Sequence, residues 1–420
     1  MTSNKPRIVI LGGGFAGLGA AEKLKDANVD VVLIDRHDYH TFQPMLYQVA
    51  TDLIATEEVA HPLRDVLRGH PNLTMHQTGV TGIDLANRQV QFKEMAPLTY
   101  DYLVLGLGAK VNFFGVKGAE ENAFPMYTLS DAVRLKQHIL KKWEAADKDP
   151  ALIPDGALNV VVVGGGPTGV ESAGAIIELY RSNFVKDYPN LPAKDASVIL
   201  VEFAPALLTM FKKDIQTYAK KALEKRGVEV RFGDGVVEIT PTRVHLKSGE
   251  VLKAHTLVWG AGLQANPLVH SLGIELQKGG RVPVGPDLSI AGHPEVFAVG
   301  DVAWITDTNT NEVLPQLGGV ALQSGERAGE NIARLLKGKQ TEPFTYFDKG
   351  MMATIGRGSA VAQMPTGNTM KGKMAWLAWG AVHLALLTGG DSRAKTMLDW
   401  GWSGVMRKRT ERISVDTTEE

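Results

Sequence analysis

The chain has 420 residues, too many for one comfortable core, so two or three domains are expected. Its 44% hydrophobic and 22% charged residues are those of a globular protein, and a net charge of -1 argues against a nucleic-acid binder. The absence of cysteine excludes disulfides, thiolate metal sites and a catalytic thiol.

The first element is the run Arg7 to Leu11, which reads as a buried parallel strand. Gly12, Gly14 and Gly17 follow as G-x-G-x-x-G, and an Ala-rich helix continues to Lys25. A second apolar strand, Val29 to Ile34, ends in Asp35, 18 residues past Gly17. This is the dinucleotide-binding arrangement of strand, glycine turn, helix and acid. The helix N-terminus offers N–H groups and partial positive charge to a pyrophosphate, and Asp35 can accept from a ribose diol. Because the first apolar run is already this strand, no signal peptide is expected. No run of about 20 apolar residues is present, and a cytoplasmic compartment is expected.

Tyr39 to Tyr47 (YHTFQPMLY) either walls a flat cofactor or forms ordinary core beneath a loop. Val80 to Phe92 reads as a strand pair, and Tyr100 to Gly108 as a strand whose final glycines let backbone approach a ligand. Thr128 to Lys142 is expected as an amphipathic helix, and Lys148 to Asn159 as a polar connector at a domain boundary.

The opening pattern then recurs. Leu158 to Val163 is a strand, Gly164, Gly166 and Gly169 supply a second G-x-G-x-x-G around Thr168, and a helix runs from about Val170 to Tyr180. Ser197 to Val201 is the next strand, and it ends in Glu202. Glu202 lies 33 residues past Gly169, the extra length being a polar insertion with two prolines. Two fingerprints in one chain imply two nucleotides held face to face. A carboxylate at the second strand end, with no base until Lys212, favours NADH over NADPH. Glu171 is either a carboxylate favoured by the helix dipole or a group beside the nicotinamide that orients it or relays a proton.

Leu257 to Gly262 reads as a strand and glycine turn, with Gly262 at the lip of the second nucleotide site. Glu295 to Asp301 is a further strand whose terminal Asp301 either caps a turn or binds a ribityl chain. Pro315 to Leu336 is a helix whose small residues permit close approach of a flat ligand or of another backbone. Lys373 to Thr388 is apolar but only about three-quarters of a spanning length. From Lys371 to Arg412 there are eight Lys/Arg against three Asp/Glu, and four of the seven tryptophans. That pattern marks interfacial helices on an anionic bilayer, the other reading being a helix pair packed on the core or in a homodimer interface.

On these residues the chain resembles the type II NADH dehydrogenases, single-subunit NADH:quinone oxidoreductases among the flavoproteins with two dinucleotide-binding domains. The resemblance rests on GGGFAG with LIDRHDYHTFQPMLYQVAT, VVVGGGPTGVESAGAIIEL, EVFAVGD, VALQSG and MATIGRGSAVA, and it covers nearly the whole chain. It implies non-covalent FAD at Gly12 to Gly17, including Phe15 and Ala16, with Asp35, Arg36, Gly108 and Asp301. It implies NADH at Gly164 to Gly169 with Glu202 and Gly262, a functional role for Glu171, and a quinone-site role for Gln323. The family's quinone-site helix carries A-Q-x-A-I-Q, and here the first glutamine is replaced by Gly319.

The implied fold is α/β, with two Rossmann-like domains and a C-terminal membrane-associating helical segment. The implied division is an FAD-binding domain of residues 1–120 and 265–345, an NADH-binding domain of 121–264, and a membrane-anchoring, quinone-access region of 346–420. The implied activity passes hydride from NADH to FAD and two electrons to a membrane quinone, ubiquinone or menaquinone, at the cytoplasmic face of the cell membrane. No proton pumping and no metal are expected. Two other readings are a soluble NADH-dependent reductase of an iron–sulfur carrier and a slow flavin redox sensor.

Overall fold

The computed structural model describes residues 5–192, 195–387 and 390–406. The basic run Arg407–Lys408–Arg409 and the tail from Asp416 lie outside the described residues. The elements that position the site are, in chain order, β1 (Arg7–Leu11), α1 (Phe15–Leu24), β2 (Asp30–Asp35), α2 (Leu46–Ala50), β3 (Leu73–Gln77), β4 (Tyr102–Leu105), α3 (Leu129–Lys148), β5 (Val160–Val163), α4 (Pro167–Leu179), β6 (Val198–Glu202), α5 (Lys213–Arg226), β7 (Val228–Phe232), β8 (Thr256–Trp259), β9 (His293–Ala298), α6 (Gly318–Leu335), β10 (Met351–Gly356), β11 (Ser359–Gln363), β12 (Thr369–Gly372), α7 (Lys373–Leu386) and α8 (Gly390–Met406).

The chain packs as two units, the first made of residues 1–40, 61–110 and 263–348, the second of 41–60, 111–262 and 349–420. The first unit is built on a six-stranded sheet in which β9, β4, β1, β2 and β3 are neighbours in that order, all parallel. Ile8 to Leu11 are fully buried because a parallel strand is covered on both faces. Leu11 pairs with Ile34, so the glycine turn after β1 and the acid at the end of β2 emerge side by side. Helix α6 lies against α1, where a Cβ at Gly325 would sit 1.9 Å from the Ala16 carbonyl oxygen. The small-residue stripe of α6 therefore serves backbone approach.

In the second unit β8, β5, β6 and β7 form the parallel core of a five-stranded sheet. Val160 to Val162 are fully buried, and burial of such a side chain is worth about 1.5–3 kcal/mol. Val163 pairs with Val201, which again sets a glycine turn beside a strand-end acid. Helix α3 begins at a capping box, with Thr128 Oγ1 accepting from Asp131 N and Asp131 Oδ2 from Thr128 N. It runs six residues past its expected end to Lys148. The connector that follows it is no boundary, since 111–262 is one continuous part of this unit. Residues 41–60, inside the first expected segment, pack here as well. Lys136 on α3 holds the buried Asp52 at 2.6 Å.

The rest of the second unit is an antiparallel sheet of β10, β11 and β12 followed by α7 and α8. Ala375 and Trp379 bury one side of α7, while Met374, Leu377, Val382 and Leu386 stand exposed. On α8, Thr396 is buried and Met397 and Leu398 are exposed. Among the described residues no helix is long and apolar enough to cross a membrane.

Candidate functional site

In the first unit, Gly12 sits at φ +108°, and a Cβ there would meet the Gly106 carbonyl oxygen at 2.2 Å. A Cβ on Gly17 would lie 1.8 Å from the Gly12 oxygen, so α1 closes on the turn only with glycine at both places. Gly14 is the N-cap of α1 and brings no side-chain acceptor, and the first turn carries no acid. A Cβ at Gly14 would meet nothing within 4 Å, so the N-cap position of α1 faces open space. Asp35 is latched to this turn, its Oδ2 accepting from Gly13 N at 2.6 Å and its Oδ1 from His37 N at 2.8 Å. Burial lowers the His40 imidazole below its ordinary value, and its Nδ1 lies 3.0 Å from the Gly13 oxygen. Arg36 is exposed at the end of β2.

The structure brings Asp301 to the same cradle. It follows Gly300, whose N–H donates to the buried Ser324 Oγ on α6 and whose Cα faces Ala16 and Ala321. The Asp301 carbonyl accepts from Gln316 Nε2 at 2.9 Å. Gly108, at φ +66°, is held by Asn266 N on its carbonyl. Gln323 clasps a backbone with its amide: Nε2 donates to the Phe347 oxygen and Oε1 accepts from Phe347 N, both at 3.0 Å. A Cβ on Gly319 would lie 3.1 Å from the Tyr346 hydroxyl, so the phenol occupies the space a glutamine there would enter.

The second cradle repeats the first. Gly164 has φ +106°, a Cβ on Gly169 would lie 1.8 Å from the Gly164 oxygen, and Gly166 again faces open space as the N-cap of α4. Thr168 is half-buried in the first turn. Glu202 Oε2 accepts from Gly165 N and Oε1 from Ala204 N, the counterpart of the Asp35 latch. Lys212, the first base after Glu202, donates to the Gly367 oxygen and so is spent elsewhere. Gly262, at φ +71°, lies under the exposed ring of Phe114.

Glu171 is not in the first turn of its helix, because α4 begins at Pro167. The helix-dipole reading loses its ground, and the environment works against a carboxylate. Glu171 is 9% exposed and burial pushes it up to about 8, although Thr354 N donates to its Oε1 at 3.1 Å. A chain of hydrogen bonds leads away from there within the same unit. Thr354 Oγ1 meets Tyr47 OH at 2.8 Å, Gln48 Nε2 donates to Tyr47 OH at 3.1 Å, and Trp400 Nε1 on α8 donates to Gln48 Oε1 at 2.8 Å. Gln48 and Thr354 carry no role in the sequence reading, and Tyr47 only the alternative of a cofactor wall, although each lies within a stretch on which the family resemblance rests. Among the described residues no group of three or more His, Asp or Glu is placed to hold a metal ion.

Comparison with known proteins agrees with this geometry. The profile of the pyridine nucleotide-disulphide oxidoreductase family matches residues 6–325. The type II NADH:quinone oxidoreductase Ndh of Mycobacterium tuberculosis is 38% identical over 410 residues, 94% of this chain and 87% of that protein. The type II NADH:quinone oxidoreductase of Staphylococcus aureus is 30% identical over 384 residues, 89% of this chain and 93% of its own. The fold is that of the NDH2 structure from Plasmodium falciparum in complex with NADH, with a TM-score of 0.90, 20% identity, and coverage of 98% of this chain and 100% of that one. With two latched cradles and this kinship along its length, the chain belongs to the pyridine nucleotide-disulphide oxidoreductases and, within them, to the type II NADH:quinone oxidoreductases.

Proposed function

We propose that this protein oxidises NADH and reduces a membrane quinone by way of non-covalently bound FAD, without moving protons across the membrane. The observation that carries this is the pair of cradles, each an uncapped helix N-terminus facing open space beside a strand-end acid latched to the turn. The first unit holds FAD, through the backbone of Gly12 to Gly17 with Asp35, Arg36, Gly108 and Asp301, in the segments expected at 1–120 and 265–345. The second holds NADH, through Gly164 to Gly169 with Glu202 and Gly262, in the segment expected at 121–264. Bound FAD supplies the chemistry that takes a hydride and hands on two electrons. The protein's own residues position the partners and keep water out.

Glu171 holds a proton in a dry setting. Gln323 acts in the quinone-access region by fixing the Phe347 backbone, with the Tyr346 hydroxyl standing in for the family's first glutamine. Steady-state oxidation of NADH with ubiquinone and menaquinone analogues tests the assignment. A turnover far below 1 per second with every quinone would overturn it in favour of a sensor role.

Glu202 sets the choice of nucleotide. Glu202→Ala removes both the acceptor for a ribose 2′-OH and the repulsion of a 2′-phosphate. We expect kcat/KM for NADH to fall about tenfold or more while that for NADPH rises. An unchanged ratio of the two would exclude the residue from the site.

The exposed apolar faces of α7 and α8 attach the protein peripherally to the cytoplasmic surface of the cell membrane, the region 346–420 serving as anchor. Leu377→Glu with Leu398→Glu replaces two such side chains. Each is worth about 1.5–3 kcal/mol when buried, so vesicle binding should fall at least tenfold while NADH oxidation by a soluble dye is kept. Unaltered flotation, with a change of dimer content instead, would assign these faces to a homodimer.

A further inference from the structure

A second feature of the anchor unit is a groove of about 840 Å³ with no part in the cradles. One wall is the face of α5 that carries Tyr218, Lys221, Lys225 and Arg226. The others are Glu178 and Ser182, at and just beyond the end of α4, and the turn between β10 and β11 at Arg357 and Gly358. Its floor is fixed. Arg226 donates to the carbonyls of Ala222 and Arg357, Glu178 accepts from Arg357 N at 2.8 Å, and Tyr218 OH meets Ser359 Oγ at 3.0 Å. The one carboxylate of the lining is thus engaged by the Arg357 backbone and lies 3.9 Å from its guanidinium. Lys221 and Lys225 are exposed and pair with no carboxylate among the described residues.

The groove opens beside the start of α7. A Cβ on Gly372 would lie 3.5 Å from Tyr218 OH, and Lys373 Cγ lies 3.9 Å from the place of a Cβ on Gly358. The next residue, Met374, is 66% exposed, and Leu377 one turn on is 57% exposed. A cationic groove therefore runs directly into an uncovered apolar stripe. The ligand that matches both is one with a phosphate and acyl chains.

We infer that this groove binds the phosphate of an anionic phospholipid headgroup, with the acyl chains lying along the exposed face of α7. The inference rests on the membrane-attachment reading above and adds a defined headgroup site to it. Lys221 and Lys225 supply the charge, and Arg226 and Arg357 shape the seat.

The test uses the full chain with its flavin. It is floated with vesicles of phosphatidylcholine alone and of phosphatidylcholine mixed with phosphatidylglycerol. A basic side chain at an anionic surface is worth about a factor of five, so Lys221→Gln with Lys225→Gln should weaken binding to the mixed vesicles about thirtyfold. Binding to neutral vesicles and dye-linked NADH oxidation should stay as they were. Lys337→Gln with Lys339→Gln, an equal loss of charge at exposed positions in the first unit, should change the preference little.

If both double variants lose it equally, attraction is diffuse and the site does not exist. Equal flotation of the unaltered protein with both vesicles overturns the headgroup site and leaves membrane attachment standing. Flotation with neither overturns both. Inorganic phosphate, followed by thermal shift, distinguishes a soluble ligand: saturable stabilisation lost in Lys221→Gln with Lys225→Gln, without any preference for anionic vesicles, overturns the lipid assignment.

Discussion

Gly17→Ala is expected to yield protein without flavin, whereas Gly169→Ala is expected to stay yellow and lose its grip on NADH. The added Cβ would lie 1.8 Å from a carbonyl oxygen in each case, Gly12 in the first cradle and Gly164 in the second. Neither oxygen belongs to a flexible side chain, so the helix has to withdraw from its strand. With it go the N–H groups that a pyrophosphate needs at hydrogen-bond distance.

A loss of about 3 kcal/mol or more, ordinary for a forced backbone clash, lowers affinity over a hundredfold. Gly17→Ala should also show the larger fall in Tm, because a ligand held tightly by the native state no longer contributes to its stability. Visible flavin absorbance of the purified variants and the KM for NADH check the pair. If the losses are exchanged between the two variants, the cradles have been assigned the wrong way round.

Glu171→Gln carries the other large effect. Burial holds the Glu171 carboxyl protonated up to about pH 8, against an ordinary value of 4.5. Between those values the folded protein keeps a proton that the unfolded chain has released. Stability from this group is therefore complete below about 4.5 and is lost as pH rises through about 8, a change on the order of 5 kcal/mol at most. Glutamine keeps the shape and cannot ionise, so the variant's Tm should fall less than that of the unaltered protein between pH 6 and pH 9.

In the proposed function the same proton takes part in turnover. Quinone-dependent turnover of the unaltered protein should decline as pH passes about 8, and the variant should be slower by about a hundredfold or more, without that decline and with its flavin in place. Stopped-flow traces with unaltered rates in both half-reactions would remove Glu171 from the reaction.

Both cradles were legible in the chain because they are local. Strand, turn and helix follow one another within a few residues, and a parallel partner strand brings the acid back at a nearly fixed spacing. Even the long excursion before Glu202 left the register intact, with Val163 opposite Val201. What could not be read were contacts between distant parts of the chain. Tyr47 reaches Thr354 across 307 residues and Trp400 reaches Gln48 across 352. Nothing in the spacing of YHTFQPMLYQ reveals that the partners of its last two residues are a hairpin and a late helix.

The same blindness explains the fate of residues 41–60. They follow the first cradle in sequence, but the buried Asp52 finds its cation at Lys136 in the second unit. The amide bonds of Gln323 were out of reach for a related reason, since they depend on where the Phe347 backbone passes.

The path from Trp400 through Gln48 and Tyr47 to Thr354 ends on the residue whose N–H steadies Glu171. With α8 seated on lipid as proposed, delipidation becomes a kinetic variable. A detergent that unseats the last helix also slackens the dry pocket around an acid group, so specific activity will record how a preparation was extracted. Restoring lipid should then return rate and pH profile together, since one series of hydrogen bonds joins Trp400 to Glu171.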